Sequence, residues 1–259
     1  MIVTVDGPAG AGKSTAAHAL ARRLGFRLLN TGAMYRAVAL AAVRAGLNWD
    51  DPPALAALAR RLRIQLAPDK VLLDGQDVTA EIRSSQITEV THYAANNPRV
   101  REHLVQLQRE AAGNDNIVAE GRDQGTVVFP QAQCKIFLTA SPEERARRRM
   151  LDLQARGETV LLAEVLKQQQ ERDRSDSTRS VGPLVPAADA IRFSTDGLSE
   201  DEVVNRLEAI VCGKMQKAEG GGLMKRSLQL QADGFVSSRQ LAFNKRFLIF
   251  LPSAFCVLL

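Results

Sequence analysis

A short apolar run at the start of the chain leads into a glycine-rich loop and then into a helix. Ile2–Val5 is typical of a buried strand, and Gly7–Ser14 reads GPAGAGKS, which fits the pattern G-x-x-x-x-G-K-[ST]. Apolar residues recur at helical spacing over Lys13–Leu24. Together these segments predict an α/β fold that holds a phosphate at a helix N-terminus. The flanking strand and helix argue against the alternative, a glycine-rich turn with a chance lysine.

The residue types of this loop suit a nucleoside triphosphate. Glycines let backbone N–H groups converge on the β-phosphate, and the helix N-terminus adds partial positive charge. Lys13 reaches the β- and γ-phosphate oxygens, and the Ser14 hydroxyl is a candidate Mg²⁺ ligand. The candidate nucleotide-binding residues are Gly7, Pro8, Ala9, Gly10, Ala11, Gly12, Lys13, Ser14 and Thr15.

The rest of the chain alternates strand-like and helical segments. The predicted strands are Ile117–Glu120, Lys135–Thr139 and Ala190–Ser194, and the predicted helices are Pro142–Arg156, Leu161–Arg172 and Ser199–Val211. This alternation predicts a parallel sheet covered by helices on both faces. Three short runs between residues 63 and 79, separated by turn signals, predict a small antiparallel insertion.

Charge and composition narrow the class of protein. The chain has 34 Lys/Arg and 29 Asp/Glu residues. Seven of the basic and two of the acidic residues lie from Lys214 onward, so 27 basic and 27 acidic residues precede Lys214. The basic balance therefore gives no argument for nucleic-acid binding. The three cysteines and three histidines have no ligand spacing, so we expect no structural metal and a reduced compartment.

No membrane or export signal is expected. The N-terminus lacks the basic and apolar regions of a signal peptide, so we expect a cytoplasmic protein. The apolar segment Phe247–Leu259 has 13 residues and contains Pro252, whereas a spanning helix needs about 20.

One polar cluster follows a short apolar run, and another follows the predicted strand Ile117–Glu120. The helix that begins after Asn30 has Thr31 as its expected N-cap and Arg36 one turn later, which makes a second phosphate site plausible beside the alternative of a surface arginine. Arg122 and Asp123 lie between two glycines at a strand end, where ligands gather in parallel sheets. A local ion pair is the alternative there.

Two arginine-rich segments come later. Arg145, Arg148 and Arg149 share one helix face, and a solvated face is the alternative. If the stretch 171–179 is helical, three charged residues at i, i+4 and i+7 lie on one face of the helix. These residues are Arg172, Asp176 and Arg179. This face could bind a phosphate and a sugar hydroxyl together. The alternative is an exposed helix end.

Combined with the loop, these clusters favour phosphoryl transfer. Its transition state is stabilised by positioning and positive charge. The lack of an obvious catalytic base is consistent with this, because a phosphate monoester acceptor has a second pKa of about 6 and is already anionic.

The motifs resemble bacterial cytidylate kinase, in the same order over roughly Met1 to Val211. They are Gly7–Thr15, Asn30–Arg36, Pro98–Glu102, Glu120–Pro130, Glu144–Met150, Glu171–Arg179 and Pro183–Ala190. The resemblance implies a P-loop NTPase-type α/β fold, with a five-stranded parallel sheet flanked by helices, a small mixed α/β acceptor-binding insertion and a short arginine-rich lid. It also implies ATP-dependent phosphorylation of CMP and dCMP with Mg²⁺, by a monomer.

The resemblance assigns roles to residues beyond the loop. It implies acceptor-phosphate contacts at Thr31, Arg36, Arg122 and Arg179, ribose contacts at Arg172 and Asp176, and cytosine contacts at Arg101 and Asp123. Arg148 and Arg149 resemble lid arginines that would act in catalysis with Lys13.

The same resemblance sets the expected boundaries. A kinase domain would span 1–213, with its core at 1–36 and 113–213, the insertion at about 37–112 and the lid at about 148–170. The segment 214–259 would be a disordered or atypical tail.

Two residues depart from the family pattern. His92 replaces a usual serine near the base, and Asn30 replaces the usual aspartate before Thr-Gly. His92 leaves open a sister kinase that accepts UMP. A nucleotide-binding regulator without turnover is a further alternative, and nucleic-acid binding is disfavoured by the neutral body and sparse aromatic residues.

Overall fold

A parallel sheet of five strands forms the centre of the computed structural model, which describes residues 1–67 and 69–232. In chain order the strands and helices are β1 (Ile2–Asp6), α1 (Lys13–Leu24), β2 (Arg27–Asn30), α2 (Thr31–Arg44), α3 (Pro52–Arg61), β3 (Ile64–Ala67), β4 (Lys70–Leu73), β5 (Gln76–Asp77), α4 (Ser85–Asn96), α5 (Pro98–Ala112), β6 (Ile117–Gly121), β7 (Cys134–Thr139), α6 (Pro142–Ala155), α7 (Leu162–Thr178), β8 (Ile191–Ser194) and α8 (Glu200–Ala232). A 3₁₀ turn spans Glu81–Arg83 and a π-helical turn spans Gln124–Val128.

The strand order in the main sheet is β2-β6-β1-β7-β8, and each neighbouring pair is parallel. The central strands β1 and β6 are almost entirely buried, which explains their continuous apolar sequences. At the C-terminal ends of the strands, Asn30 lies opposite Glu120, and Asp6 lies opposite Gly121. The loops that follow β1, β2 and β6 therefore begin side by side.

Local sequence signals explain the ends of several helices. The helix predicted over Lys13–Leu24 is confirmed, and it ends at Gly25 in the left-handed conformation, with φ of 66°. Ser141 caps α6, since its hydroxyl accepts a hydrogen bond from the Glu144 N–H. Asn97 caps α5 in the same way.

The predicted antiparallel insertion is present as the sheet β3-β4-β5. Its buried side chains, including Val71 and Leu73, pack with Ala37 and Leu40 of α2. Helices α3 and α4 were not anticipated from the sequence, although Asp51 and Ser84 cap them.

Three helix boundaries differ from the sequence predictions. The expected N-cap Thr31 is wrong, because Asn30 caps α2 by accepting a hydrogen bond from the Ala33 N–H at 3.1 Å, and Thr31 is the first helical residue. Helix α7 continues past Arg172 to Thr178, and α8 continues past Val211 to Ala232.

The chain divides into two compact units, Met1–Val211 and Cys212–Leu259. The apolar segment Phe247–Leu259 lies outside the described residues. Among the helices that the structure describes, none is both long and apolar enough to cross a membrane.

Candidate active site at the C-terminal edge of the sheet

Three loops meet at one edge of the main sheet. Gly7–Ser14 follows β1, Thr31 follows β2, and Arg122 and Asp123 follow β6. Because these three strands are neighbours, the first two polar clusters predicted from the sequence lie next to the glycine-rich loop. This is the edge at which parallel sheets bind ligands.

Backbone geometry explains the glycines of the loop. Gly7 has φ of 148°, and a Cβ there would collide with the Leu138 carbonyl oxygen. Gly10 and Gly12 have φ of 78° and 83°, which side chains disfavour. Gly12 is the N-cap of α1 and has no side-chain acceptor. The N–H groups of the first turn therefore remain available to donate hydrogen bonds to an anion.

Lys13 lies in the centre of this loop. Its side chain is buried, and its Nζ donates a hydrogen bond to the Pro8 carbonyl at 2.7 Å. Burial, followed by the positive charge of Arg122, lowers the pKa of Lys13 to about 7. A bound phosphate would reverse this effect by stabilising the ammonium form.

Ser14 faces a carboxylate to which the sequence analysis assigned no role. Its hydroxyl donates to Glu120 Oε1 at 3.0 Å, and Glu120 is buried at the end of β6. A hydroxyl and a carboxylate are oxygen ligands of the kind that Mg²⁺ prefers, so the pair fits such an ion with water completing its shell. No cluster of three or more His, Cys, Asp or Glu suited to a metal occurs in the described part of the chain.

The arginines predicted from separate motifs share one electrostatic environment. Burial, then Arg122, lowers the pKa of Arg172 to about 10, with Arg36 and Arg149 contributing. Burial is also the main cause of the lowered pKa of Arg36, to which Arg122 and Arg149 again contribute. These arginines are therefore close enough to repel one another, an arrangement that suits the binding of an anion.

Asp176 organises two of these arginines. Its Oδ2 accepts a hydrogen bond from Arg122 Nε at 2.9 Å, and its Oδ1 lies 3.5 Å from Arg179 Nη1. Burial opposes ionisation of Asp176, but Arg122 and then Arg179 outweigh it and hold its pKa below the ordinary value. The late charged motif thus contacts the loop after β6.

Arg101 and Asp123 form an ion pair in which the side chains are almost fully inaccessible, with 2% and 3% of each residue exposed. The Arg101 guanidinium lies 5.4 Å from the centre of the Tyr35 ring, and its Nη1 donates to the Ala95 carbonyl at 3.2 Å. Its Nε is buried and has no hydrogen-bond partner among the described residues. The pair therefore offers an unused donor beside a carboxylate.

A glycine packs directly on this pair. A Cβ at Gly182 would collide with the Arg101 guanidinium and the Asp123 carboxylate, and Gly182 has φ of 60°. Its carbonyl accepts a hydrogen bond from Arg179 Nε at 2.6 Å. The absence of a side chain allows the segment after α7 to approach the ion pair.

The arginines of α6 have different surroundings. Arg148 donates to Glu144 Oε1 at 2.8 Å and to the Thr195 hydroxyl at 2.9 Å. Arg145, whose role the sequence analysis left open, is buried and donates to the Ala9 carbonyl at 3.0 Å, where it supports the glycine-rich loop. Arg145 therefore does not belong to a solvated helix face, which was the alternative interpretation of this motif.

Arg145 also pairs with a residue of α7, since its Nη1 lies 2.7 Å from Asp173 Oδ2. The connection between α6 and α7 contacts the first residue of α4 and the 3₁₀ turn Glu81–Arg83. Ser85 Oγ donates to Glu158 Oε1 at 2.8 Å, and Arg156 Nη1 donates to the Arg83 carbonyl at 3.2 Å.

Comparison with known proteins assigns this arrangement to a family. The profile described as cytidylate kinase matches residues 3–212 of the chain. The chain belongs to the cytidylate kinase family. It is 51% identical over 203 residues to a cytidylate kinase of Rhodopirellula baltica, a match covering 78% of this chain and 89% of that protein. It is 50% identical over 214 residues to one of Pelotomaculum thermopropionicum, covering 81% and 95%.

The two departures from the cytidylate kinase pattern have local explanations. Asn30 is the cap of α2, a role that an amide oxygen fills as well as a carboxylate. His92 is exposed on α4, where its Nδ1 lies 2.6 Å from the Glu89 carbonyl and its ring contacts Tyr93. Neither contact of His92 involves the Arg101–Asp123 pair.

Thr31, the first residue of α2, donates its hydroxyl proton to the Glu120 carbonyl at 2.8 Å.

Proposed function

We propose that the chain transfers the γ-phosphoryl group of ATP to CMP and dCMP, which yields CDP and dCDP. The observation that carries this proposal is the buried Arg101–Asp123 pair, adjacent to the phosphate-binding loop and its arginines. The relatives named cytidylate kinase, which are 51% and 50% identical to the chain over most of their length, support this proposal.

The pair suits cytosine by its hydrogen-bonding chemistry. The cytosine N4 amino group donates, which matches the Asp123 carboxylate, and N3 and O2 accept, which matches Arg101. Uracil presents an N3–H group to the arginine and O4 to the carboxylate. Each mispaired buried group costs about 1–3 kcal/mol, which disfavours UMP by roughly 10- to 100-fold.

The remaining polar residues have proposed roles in transfer. The loop from Gly7 to Thr15 holds the phosphates of ATP, and Lys13 stays on the β- and γ-oxygens. The residues proposed to bind the acceptor phosphate are Thr31, Arg36, Arg122 and Arg179, those for the ribose are Arg172 and Asp176, and those for transition-state charge are Arg148 and Arg149. For Thr31 this requires rotation of its hydroxyl away from the Glu120 carbonyl.

Ser14 and Glu120 would hold Mg²⁺, which when bound neutralises charge on the β- and γ-phosphates. The carboxylate keeps the Ser14 hydroxyl oriented toward that position. No residue is needed as a base, because the acceptor phosphate is already anionic near neutral pH.

The domain boundaries are proposals as well. We propose a kinase domain at 1–213, an acceptor-binding insertion at about 37–112 and a lid at about 148–170, acting as a cytoplasmic monomer. The end of the first compact unit at Val211 and the separate small sheet between residues 64 and 77 support these boundaries.

The proposed function is tested by ADP release from Mg-ATP with CMP, dCMP, UMP, AMP, GMP and shikimate in parallel. We expect CMP and dCMP to exceed the other acceptors by at least about tenfold. Comparable turnover of UMP would replace the proposal with a broader pyrimidine kinase. ATP binding without acceptor-dependent ADP release would indicate a nucleotide-binding regulator.

ATP affinity should fall as pH rises above 7. The pKa of Lys13 is about 7, and bound phosphates keep the ammonium charged, so binding takes up a proton above this pH. One linked proton weakens binding by up to about tenfold per pH unit. Calorimetry in two buffers of different ionisation enthalpy, at saturating Mg²⁺, measures this uptake. A pH-independent affinity between pH 7 and 9 contradicts the prediction.

Gly182→Ala should raise KM for CMP by about tenfold or more, because alanine is strained at this φ and its Cβ displaces the Arg101–Asp123 pair. Steady-state kinetics with varied CMP measures the effect. Gly46→Ala is a matched control, since Gly46 also has φ of 60° but a Cβ there meets no atom within 4 Å. Equal kinetics for both variants would show that the contact with the pair is unimportant.

A further inference from the structure

Asp6 is a buried carboxylate that none of the proposed roles uses. It is the last residue of β1 and directly precedes Gly7, the first residue of the phosphate-binding loop. It is 5% exposed. Its Oδ1 accepts a hydrogen bond from the Gln124 N–H at 2.8 Å, and its Oδ2 accepts one from the Gly125 N–H at 2.7 Å.

Both donors belong to the turn that follows Arg122 and Asp123. Gln124–Val128 forms a single π-helical turn, a rare conformation whose first N–H groups have no partner inside the turn. Asp6 satisfies two of these groups at once. One carboxylate therefore connects the start of the phosphate-binding loop with the backbone adjacent to the cytosine-reading pair.

The surroundings of Asp6 indicate a specific fit. A Cβ at Gly125 would lie 2.9 Å from Thr4 Oγ1 and 3.4 Å from Asp6 Oδ2, so a glycine is needed for this approach. Burial raises the pKa of Asp6 to about 6; its two backbone hydrogen bonds oppose this, as does Lys13, while Asp123 adds to it. A carboxylate is thus retained at a position that disfavours its charge, where its two acceptor atoms are both used.

We propose that Asp6 is a positioning residue that fixes Arg122 and Asp123 against the phosphate-binding loop, and so sets acceptor affinity and base selectivity without contacting either substrate. This inference rests on the proposed cytidylate kinase function. Asp6 would thereby fix the position of the acceptor site relative to the ATP site, because it bonds to the turn after Asp123 and directly precedes Gly7 of the phosphate-binding loop.

The first test is Asp6→Asn, which keeps the shape of the side chain but turns an NH₂ group toward one of the two backbone donors. We expect KM for CMP to rise by about 10- to 100-fold and the CMP/UMP selectivity to fall, with KM for ATP changed by less than about threefold. The control is Thr4→Val, on the same strand, because the Thr4 hydroxyl is buried without a hydrogen-bond partner among the described residues. Thr4→Val should match the wild type.

Equal changes in KM for ATP and CMP, or no change in either, would overturn the proposal. Asp6→Ala, which removes both acceptor oxygens without introducing an NH₂ group, is the second variant and should raise KM for CMP and lower the CMP/UMP selectivity in the same direction as Asp6→Asn. If wild-type protein shows no CMP-dependent ADP release, the proposed function fails; if it does and Asp6→Asn behaves like wild type, only this inference fails.

Amide hydrogen exchange tests the inference on wild-type protein, whatever the variants do. The Gln124 and Gly125 amides should exchange slowly, and saturating CMP should slow them further by at least about tenfold, because the ligand favours the turn that Asp6 holds. Amides of α8 serve as the internal reference. Rapid exchange of both amides, or no response to CMP, would overturn the role of Asp6.

Discussion

Lys13→Met should lower kcat by roughly 100- to 1,000-fold or more, the range seen when a preorganised donor to a transition-state oxygen is removed. The substitution keeps most of the aliphatic stem and removes the ammonium group that lies at the centre of the phosphate-binding loop. Because burial lowers the pKa of Lys13, the fold does not depend on this charge. ADP release at saturating CMP, with circular dichroism to verify folding, measures the effect.

The matched control is Lys70→Met. Lys70 is exposed on β4, where its only described ion pair is with Asp77 at 3.8 Å, so its substitution should change kcat by less than about twofold. Retained turnover in Lys13→Met would rule out the proposed mechanism at the loop.

Asp123→Asn should reduce the CMP/UMP ratio of kcat/KM by about 10- to 100-fold. An amide retains one acceptor oxygen, but its NH₂ group suits uracil O4 rather than cytosine N4. The substitution also leaves Arg101 as a buried charge without its partner, which costs about 3–5 kcal/mol. We therefore expect the melting temperature to fall by about 6–20 °C.

Asp115→Asn is the control for this change. Asp115 pairs with Arg27 at 3.1 Å, but both side chains are substantially exposed, so the pair contributes about 1 kcal/mol at most. Its substitution should leave selectivity unchanged. An unchanged CMP/UMP ratio in Asp123→Asn would exclude base reading by Asp123, even if the protein were destabilised.

The parts of the fold that follow from short stretches of sequence were predictable. The strand, loop and helix around Lys13 are specified within 24 residues, and the bounds of α1 are those predicted. The antiparallel insertion also follows from local turn signals. Helices α3 and α4 were missed, although their caps, Asp51 and Ser84, and the helical spacing of their apolar residues are present in the sequence.

The candidate site was predictable only as separate motifs. Helical spacing predicted that Asp176 shares a face with Arg172 and Arg179, but α7 ends at Thr178 and Arg179 lies beyond it in an extended conformation. The bond of Asp176 to Arg122 joins residues 54 positions apart. Arg145 could not be distinguished from its neighbours by periodicity, because its partners, the Ala9 carbonyl and Asp173, lie far from it in the sequence. The sequence alone does not distinguish Asn30 from Thr31 as the helix cap, because both residue types are good caps and only the backbone conformation separates them.

The contacts of Ser85 with Glu158 and of Arg156 with the Arg83 carbonyl have a thermodynamic consequence. They join the segment proposed to close over ATP to the segment proposed to hold the acceptor. Coupling between two binding sites is reciprocal. If bound ATP increases the affinity for CMP by some factor, bound CMP increases the affinity for ATP by the same factor. When ATP is bound alone, none of this coupling is realised, so the closed form is less favoured than with both ligands and transfer of the γ-phosphate to water is limited.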